Sequence, residues 1–157
     1  YVYSNDFHIS NNTIGDNRFY GISQINSSAG QVIGNFIWNN GIGISAFASN
    51  FNWWSENRLT QSKAQGFSCV ACNSITVANN QSYQNSNGAR GAAEDWKFVG
   101  ANGLIFSGNN TFDWTGTPHT NYGITIDETS KNVTIQNNQF SFNKNSSAFG
   151  NEFIFKI

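Results

Sequence analysis

Ile9-Ser10-Asn11-Asn12-Thr13-Ile14 and Val133-Thr134-Ile135-Gln136-Asn137-Asn138-Gln139-Phe140 are two copies of one phrase, an apolar residue, two spacers, Asn, a spacer and an apolar residue. Between them it returns as Val32-x-x-Asn35-x-Ile37, Trp54-x-x-Asn57-x-Leu59, Val77-x-x-Asn80-x-Ser82 and Phe106-x-x-Asn109. The anchor asparagines recur after 23, 22, 23, 29 and 29 residues. Fixed recurrence at 20–50 residues marks a repeat architecture. Gly21, Gly43 and Gly66 lie 9, 8 and 9 residues after their anchors, Gly91 and Gly123 lie 11 and 14 after theirs, and these glycines open segments such as Gly-Ile-Ser-Gln-Ile and Gly-Ile-Thr-Ile-Asp. Alternation with period two is the mark of a strand with one buried face.

Each repeat therefore holds two or three strands of 3–5 residues joined by Asn/Gly turns, with no room for a helix. The arrangement that satisfies this is a right-handed parallel β-helix of about six rungs, all-β, each strand pairing with its equivalent roughly 4.8 Å away in the next rung. The anchor asparagines then form a column whose amides bond to one another and to turn backbone. The two longer repeats must carry their extra residues in turns, around 85–102 and 111–121, and insertions on one face often mark a binding face.

Composition agrees with a repeat. Asn occurs 26 times in 157 residues, dispersed between β-branched and aromatic stretches, while Pro occurs once. Only 11% of residues are charged and the net charge is -1, which gives no reason to expect nucleic acid as a partner. No apolar run approaches the roughly 20 residues of a membrane-spanning helix, so no membrane insertion is expected. The chain opens at Tyr1 and contains no Met, as expected of a single β-helix domain, residues 1–157, cut from a longer protein.

The Asn-punctuated phrases at 9–14 and 133–140, with Gly-led strands between, resemble the pectate-lyase-like right-handed β-helix superfamily, and in particular bacteriophage tailspike proteins. The resemblance runs from Ile9 to about Phe142. The polygalacturonase pattern (Asn-Thr-Asp, paired Asp, Gly-His-Gly) and the Arg-x-Pro-x-x-Arg of pectate lyases are both absent. The resemblance implies a protein that binds, and often cleaves, long acidic or neutral polysaccharides on the side of the helix, such as bacterial capsule or lipopolysaccharide. It further implies a homotrimer at the virion surface or outside the cell.

Candidate chemistry comes from aligning rungs on the leading glycine. The fourth residue after it is Ile25, Phe47, Val70, Asp95 and Asp127, so an apolar column turns acidic, with Glu94 and Glu128 alongside. Stacked carboxylates push their pKa values apart, which suits the acid and the base or nucleophile of glycoside hydrolysis. Asp95, Asp127, Glu94 and Glu128 are thus the expected catalytic set. The competing reading is that these acids cap turns or pair with Lys97, Arg90 or Lys131. Trp96, Trp114 and Tyr122 are candidate sugar-stacking rings, with the core or a trimer interface as the alternative for each Trp. Lys97 and His119 are the basic candidates that a lyase or epimerase would need. Cys69-x-x-Cys72 lacks a helix to open and lacks two further zinc ligands, so buried free thiols are expected, with a disulfide as the alternative. No cofactor or metal is expected. A non-catalytic glycan-binding or structural section of a spike or adhesin remains the rival to an enzyme. The closing run Phe153-Ile154-Phe155-Lys156-Ile157 is apolar enough to cover a strand edge.

Overall fold

The computed structural model describes residues 1–89, 92–113 and 119–141, and the backbone of 154–155. Among them, every regular element is a short strand, and the strands form three parallel six-stranded sheets. The first sheet runs through His8–Ser10, Gln31–Ile33, Trp53–Ser55, Asn73–Ala78, Asn102–Ser107 and Thr134–Gln136. The second contains Thr13–Gly15, Phe36–Trp38, Arg58–Thr60, Gln81–Tyr83, Asn110–Phe112 and Gln139–Ser141. The third contains Tyr20–Ile25, Ile42–Phe47, Phe67–Val70, Trp96–Val99, Ile124–Ile126 and Ile154–Phe155. The chain visits the sheets in turn, so each circuit is one rung.

The corner between the first and second sheets explains the repeated phrase. Asn11, Gly34, Glu56, Asn79, Gly108 and Asn137 stand in a column with φ between 55 and 67°, a left-handed conformation that Gly and Asn adopt most cheaply. That turn aims the next residue inward, and the six anchor asparagines form an unbroken ladder. Asn57 is typical. Its Nδ2 donates to Val32 O at 2.8 Å and to Asn80 Oδ1 at 3.1 Å, while its Oδ1 accepts from Asn35 N and Asn35 Nδ2, both at 3.0 Å. A buried amide survives only when its donors and acceptors are occupied, and here each rung supplies the partners of the next.

The core fills from all three sheets: Val32, Trp54, Val77 and Phe106 from the first, Ile37 and Leu59 from the second, Phe67, Trp96 and Phe98 from the third, all at most 1% exposed. Phe67 meets Trp54 edge-on at 5.1 Å between centroids, and Trp96 meets Phe106 at 5.3 Å. Trp96 is therefore a core residue, its Nε1 donating to Thr111 Oγ1 at 2.7 Å, and cannot stack on a sugar as its sequence position suggested. Cys69 and Cys72 are also corrected. They are fully buried but joined to each other as a disulfide across the corner between the third and first sheets. The left-handed residue Ala71 turns the chain between them.

Both expected insertions leave the same corner, between the second and third sheets. The first spans residues 84–95 and is shorter than the 85–102 anticipated, because Trp96 already begins the next strand. The second occupies 113–123. Trp114 and Arg90 lie outside the described residues, as do Phe153, Lys156 and Ile157. The backbone of Ile154–Phe155 pairs with Thr125–Ile126, extending the third sheet.

Candidate functional site

The register of the third sheet overturns the acidic column. Trp96 pairs with Phe67 and with Ile124, so Val99 stands beside Val70, and one step beyond the Phe98–Ile126 pair it stands level with Asp127. Asp95 instead falls level with Gly66 and Gly123, four positions from Asp127, or roughly 13 Å along the strand. The cause is Gly91. The strand begins at Trp96, level with Phe67, so counting from Gly91 displaces Asp95 by four residues from its place level with Gly66. Asp127 is a turn cap that accepts from Gly100 N at 2.8 Å, Ser130 Oγ at 2.8 Å and Thr129 Oγ1 at 2.5 Å. Slight burial pushes its pKa upward, but the bonds from Thr129, Gly100 and Ser130 outweigh this and hold it below the usual carboxylate value. Glu128 is exposed on the same turn. Glu94, half-buried, accepts from Gln65 Nε2 at 3.3 Å.

Asp95 takes a place that glycine holds in other rungs. A Cβ on Gly66 would lie 2.7 Å from both Ser82 Oγ and Asn85 Nδ2, so this column packs tightly against the corner asparagines. In the fourth rung a carboxylate stands in that place. Asp95 is 1% exposed. Its Oδ1 accepts from Asn85 Nδ2 at 2.6 Å and from Ser82 Oγ at 3.0 Å, and Thr120 adds a third bond. Burial raises its pKa to about 7; the bonds from Asn85 and Ser82 oppose the rise, and the charge of Asp113 reinforces it. Asp95 is thus a carboxylic acid that still carries much of its proton near neutrality.

The second insertion supplies the other half of the cluster. Asp113 Oδ2 accepts from His119 N at 2.5 Å and lies 3.0 Å from His119 Nδ1. Asp113 and His119 are 6% and 5% exposed. With Nδ1 protonated toward Asp113, the basic nitrogen of His119 is Nε2. Ser82, Asn85, Asp95, Asp113, His119 and Thr120 therefore meet at the corner between the second and third sheets. Of the residues anticipated from sequence, Asp95 and His119 are brought together. Asp127 and Glu128 sit elsewhere, while Lys97 and Tyr122 are half-buried nearby in the chain. Asp113 is absent from the set that glycine alignment picks out. Two residues after each anchor Asn the chain reads Ile14, Ile37, Leu59, Ser82, Thr111, Phe140. That column becomes polar in the two rungs that hold the cluster, a signal the amino-acid sequence carries by itself. Among the described residues no three His, Cys, Asp or Glu side chains converge as metal ligands.

Comparison with known proteins bears on the fold. A search of curated proteins found no match. Among solved structures, full-length tailspike protein 2 from Escherichia coli O157:H7 bacteriophage CAB120 superposes with a TM-score of 0.74 at 14% identity, over 85% of this chain and 20% of that one. The mannuronan C-5 epimerase AlgE6 A-module of Azotobacter vinelandii gives 0.59 at 13% identity, over 88% of this chain and 51% of that one. The chain thus spans about a fifth of the tailspike and half of the epimerase module. Residues 1–147 match the family described as right handed beta helix region, the three-sheet coil and its asparagine ladder agree with it, and the chain belongs to that family.

Proposed function

We propose that this chain is a polysaccharide-processing section of a longer β-helix protein, and that it hydrolyses glycosidic bonds at the Asp95–Asp113–His119 corner. The observation that carries the reading is a buried carboxylic acid with a pKa of about 7 beside a buried Asp–His pair, where two rungs depart from the repeat. Glycoside hydrolysis needs one carboxyl that donates a proton to the leaving oxygen and a second group that activates water or attacks. Asp95 supplies the proton. Asp113, with His119 held against it, supplies the base. Glu94 borders the cluster, whereas Asp127 and Glu128, on a separate turn, have no part in this version of the site.

The substrate class proposed is bacterial surface polysaccharide, capsule or lipopolysaccharide, and the setting is a virion surface or extracellular. The similarity in fold to a tailspike and a buried disulfide, typical of oxidising compartments, both support this. Assembly as a homotrimer is supported by Phe47, Phe51 and Trp53, 51%, 67% and 48% exposed on one turn of the coil, an apolar strip that a second copy would cover. A second reading, proton abstraction as in an epimerase or lyase, is favoured by His119, which Asp113 orients as a base.

The test is release of reducing ends from a panel of capsular and lipopolysaccharide preparations. Wild type should release them, and Asp95→Asn and Asp113→Asn should each lose about 100-fold or more. Full activity in both variants would remove the chemistry from this corner, and retained glycan affinity with no release by wild type would leave a binding module.

A further inference from the structure

We propose that Asn87–Gly88, in the first insertion, is a self-modification site, where the asparagine amide is lost through a backbone imide and replaced by aspartate or isoaspartate. The inference goes beyond the polysaccharide reading and does not depend on it. The chain holds three Asn-Gly pairs, at 40–41, 87–88 and 102–103. All three have the same chemical opportunity, since glycine lacks the Cβ that hinders attack by its own nitrogen. All three glycine amides also donate to a carbonyl of a neighbouring rung: Gly41 to Asn17 O at 3.1 Å, Gly88 to Lys63 O at 3.1 Å and Gly103 to Lys131 O at 3.0 Å. The pairs differ in what holds the asparagine.

Asn40 is 0% exposed. Its Nδ2 donates to Trp38 O at 2.9 Å and Ile14 O at 3.3 Å, and its Oδ1 accepts from Asn17 N at 3.1 Å and Asn17 Nδ2 at 2.9 Å. Asn102 opens the strand Asn102–Ser107, between Asn73 on one side and Lys131 on the other, and its Oδ1 accepts from Asn132 Nδ2 at 2.9 Å. In both pairs the Asn Cγ can swing onto the next nitrogen only after local opening of the coil. Asn87 stands in a turn outside any strand, and both it and Gly88 are exposed. Its backbone N donates to Ser62 O at 2.9 Å, but among the described residues its side chain has no hydrogen-bond partner. The amide can therefore rotate toward the Gly88 nitrogen, and water reaches both.

The Gly88 nitrogen forms a bond to Asn87 Cγ, and its proton departs with the side-chain nitrogen as ammonia. The cyclic imide then takes up one water at either carbonyl. One opening gives aspartate; the other gives isoaspartate, which lengthens the main chain by a methylene between the two amides that tether the insertion to Ser62 and Lys63. Each event adds a negative charge to a chain whose formal net charge is -1.

The experiment is storage of the full chain in mildly alkaline buffer, with isoelectric focusing and tryptic peptide mass over time. Trypsin places the three pairs on separate peptides, 19–58, 64–90 and 98–131. Peptide 64–90 should gain the acid first, about tenfold or more faster than the other two, with fragmentation locating it at Asn87. In urea the three rates should converge. Asn87→Gln should lack the early acidic species while keeping the circular dichroism spectrum of wild type. Equal rates in the folded chain, an earlier change at Asn40 or Asn102, a 64–90 gain at another asparagine, or the same order of rates in urea would overturn the proposal.

Discussion

Replacing Asp95 with Asn should make the protein more stable above pH 7 while abolishing activity. In the folded chain the Asp95 carboxyl titrates at about 7, against 3.8 when unconstrained. Between those values the native state holds a proton that the unfolded state has released, so stability falls as pH rises through this window. The gap of about 3 pKa units corresponds to about 4 kcal/mol at ~1.4 kcal/mol per unit. The loss begins above the unfolded value and is complete once pH exceeds the folded one. The amide that Asp95→Asn introduces cannot ionise, and its oxygen can still accept from Asn85 and Ser82. Urea melts of wild type and variant at pH 4, 6 and 8 isolate the effect, because the two proteins differ in this one group. The two proteins should be close at pH 4, and the variant should lead by several kcal/mol at pH 8. A difference that does not change with pH would refute the burial argument for Asp95.

Other outcomes follow from the same geometry. Asn57→Ala removes four side-chain hydrogen bonds in the buried ladder. It should cost about 4 kcal/mol at ~1 kcal/mol per bond, read as a lower urea midpoint. Asn12→Ala, at the exposed end of the ladder, loses only bonds to Ser10 O and Asn35 Oδ1 and should cost about 1 kcal/mol. Trp96→Ala should destabilise by about 3–5 kcal/mol, a core loss, and lower glycan affinity only in step with the unfolded fraction. Intact mass and thiol titration under denaturing, non-reducing conditions should find no free thiol among Cys69 and Cys72.

The rung architecture is legible because its causes are local. Left-handed corners favour Asn or Gly, and the inward residue after the corner must satisfy its own amide, so the phrase at Asn12, Asn35, Asn57, Asn80, Asn109 and Asn138 repeats in sequence as it does in space. The site is only half legible. Asp95 and His119 can be suspected, because insertions and rare charges stand out in so neutral a chain. Their true neighbours cannot be deduced by counting from Gly91, since nothing in the sequence says that the next strand begins only at Trp96. Alignment on the anchor Asn instead exposes Ser82 and Thr111 as polar intrusions into an apolar column. Trp96 misleads for a related reason. Shifting the register by four residues moves it from the inward row of Ile22, Ile44 and Phe67 to a strand end.

Addition of water across a glycosidic bond, at the corner that holds Asp95, Asp113 and His119, is the step proposed for this chain. Digestion of a susceptible surface polysaccharide in heavy-oxygen water, followed by product mass, addresses this directly. Hydrolysis predicts one heavy oxygen per bond cleaved, at the new reducing end, with wild type and none above background with Asp95→Asn. Unlabelled products with unsaturated ends, or labelled products from the variant at the wild-type rate, would contradict it.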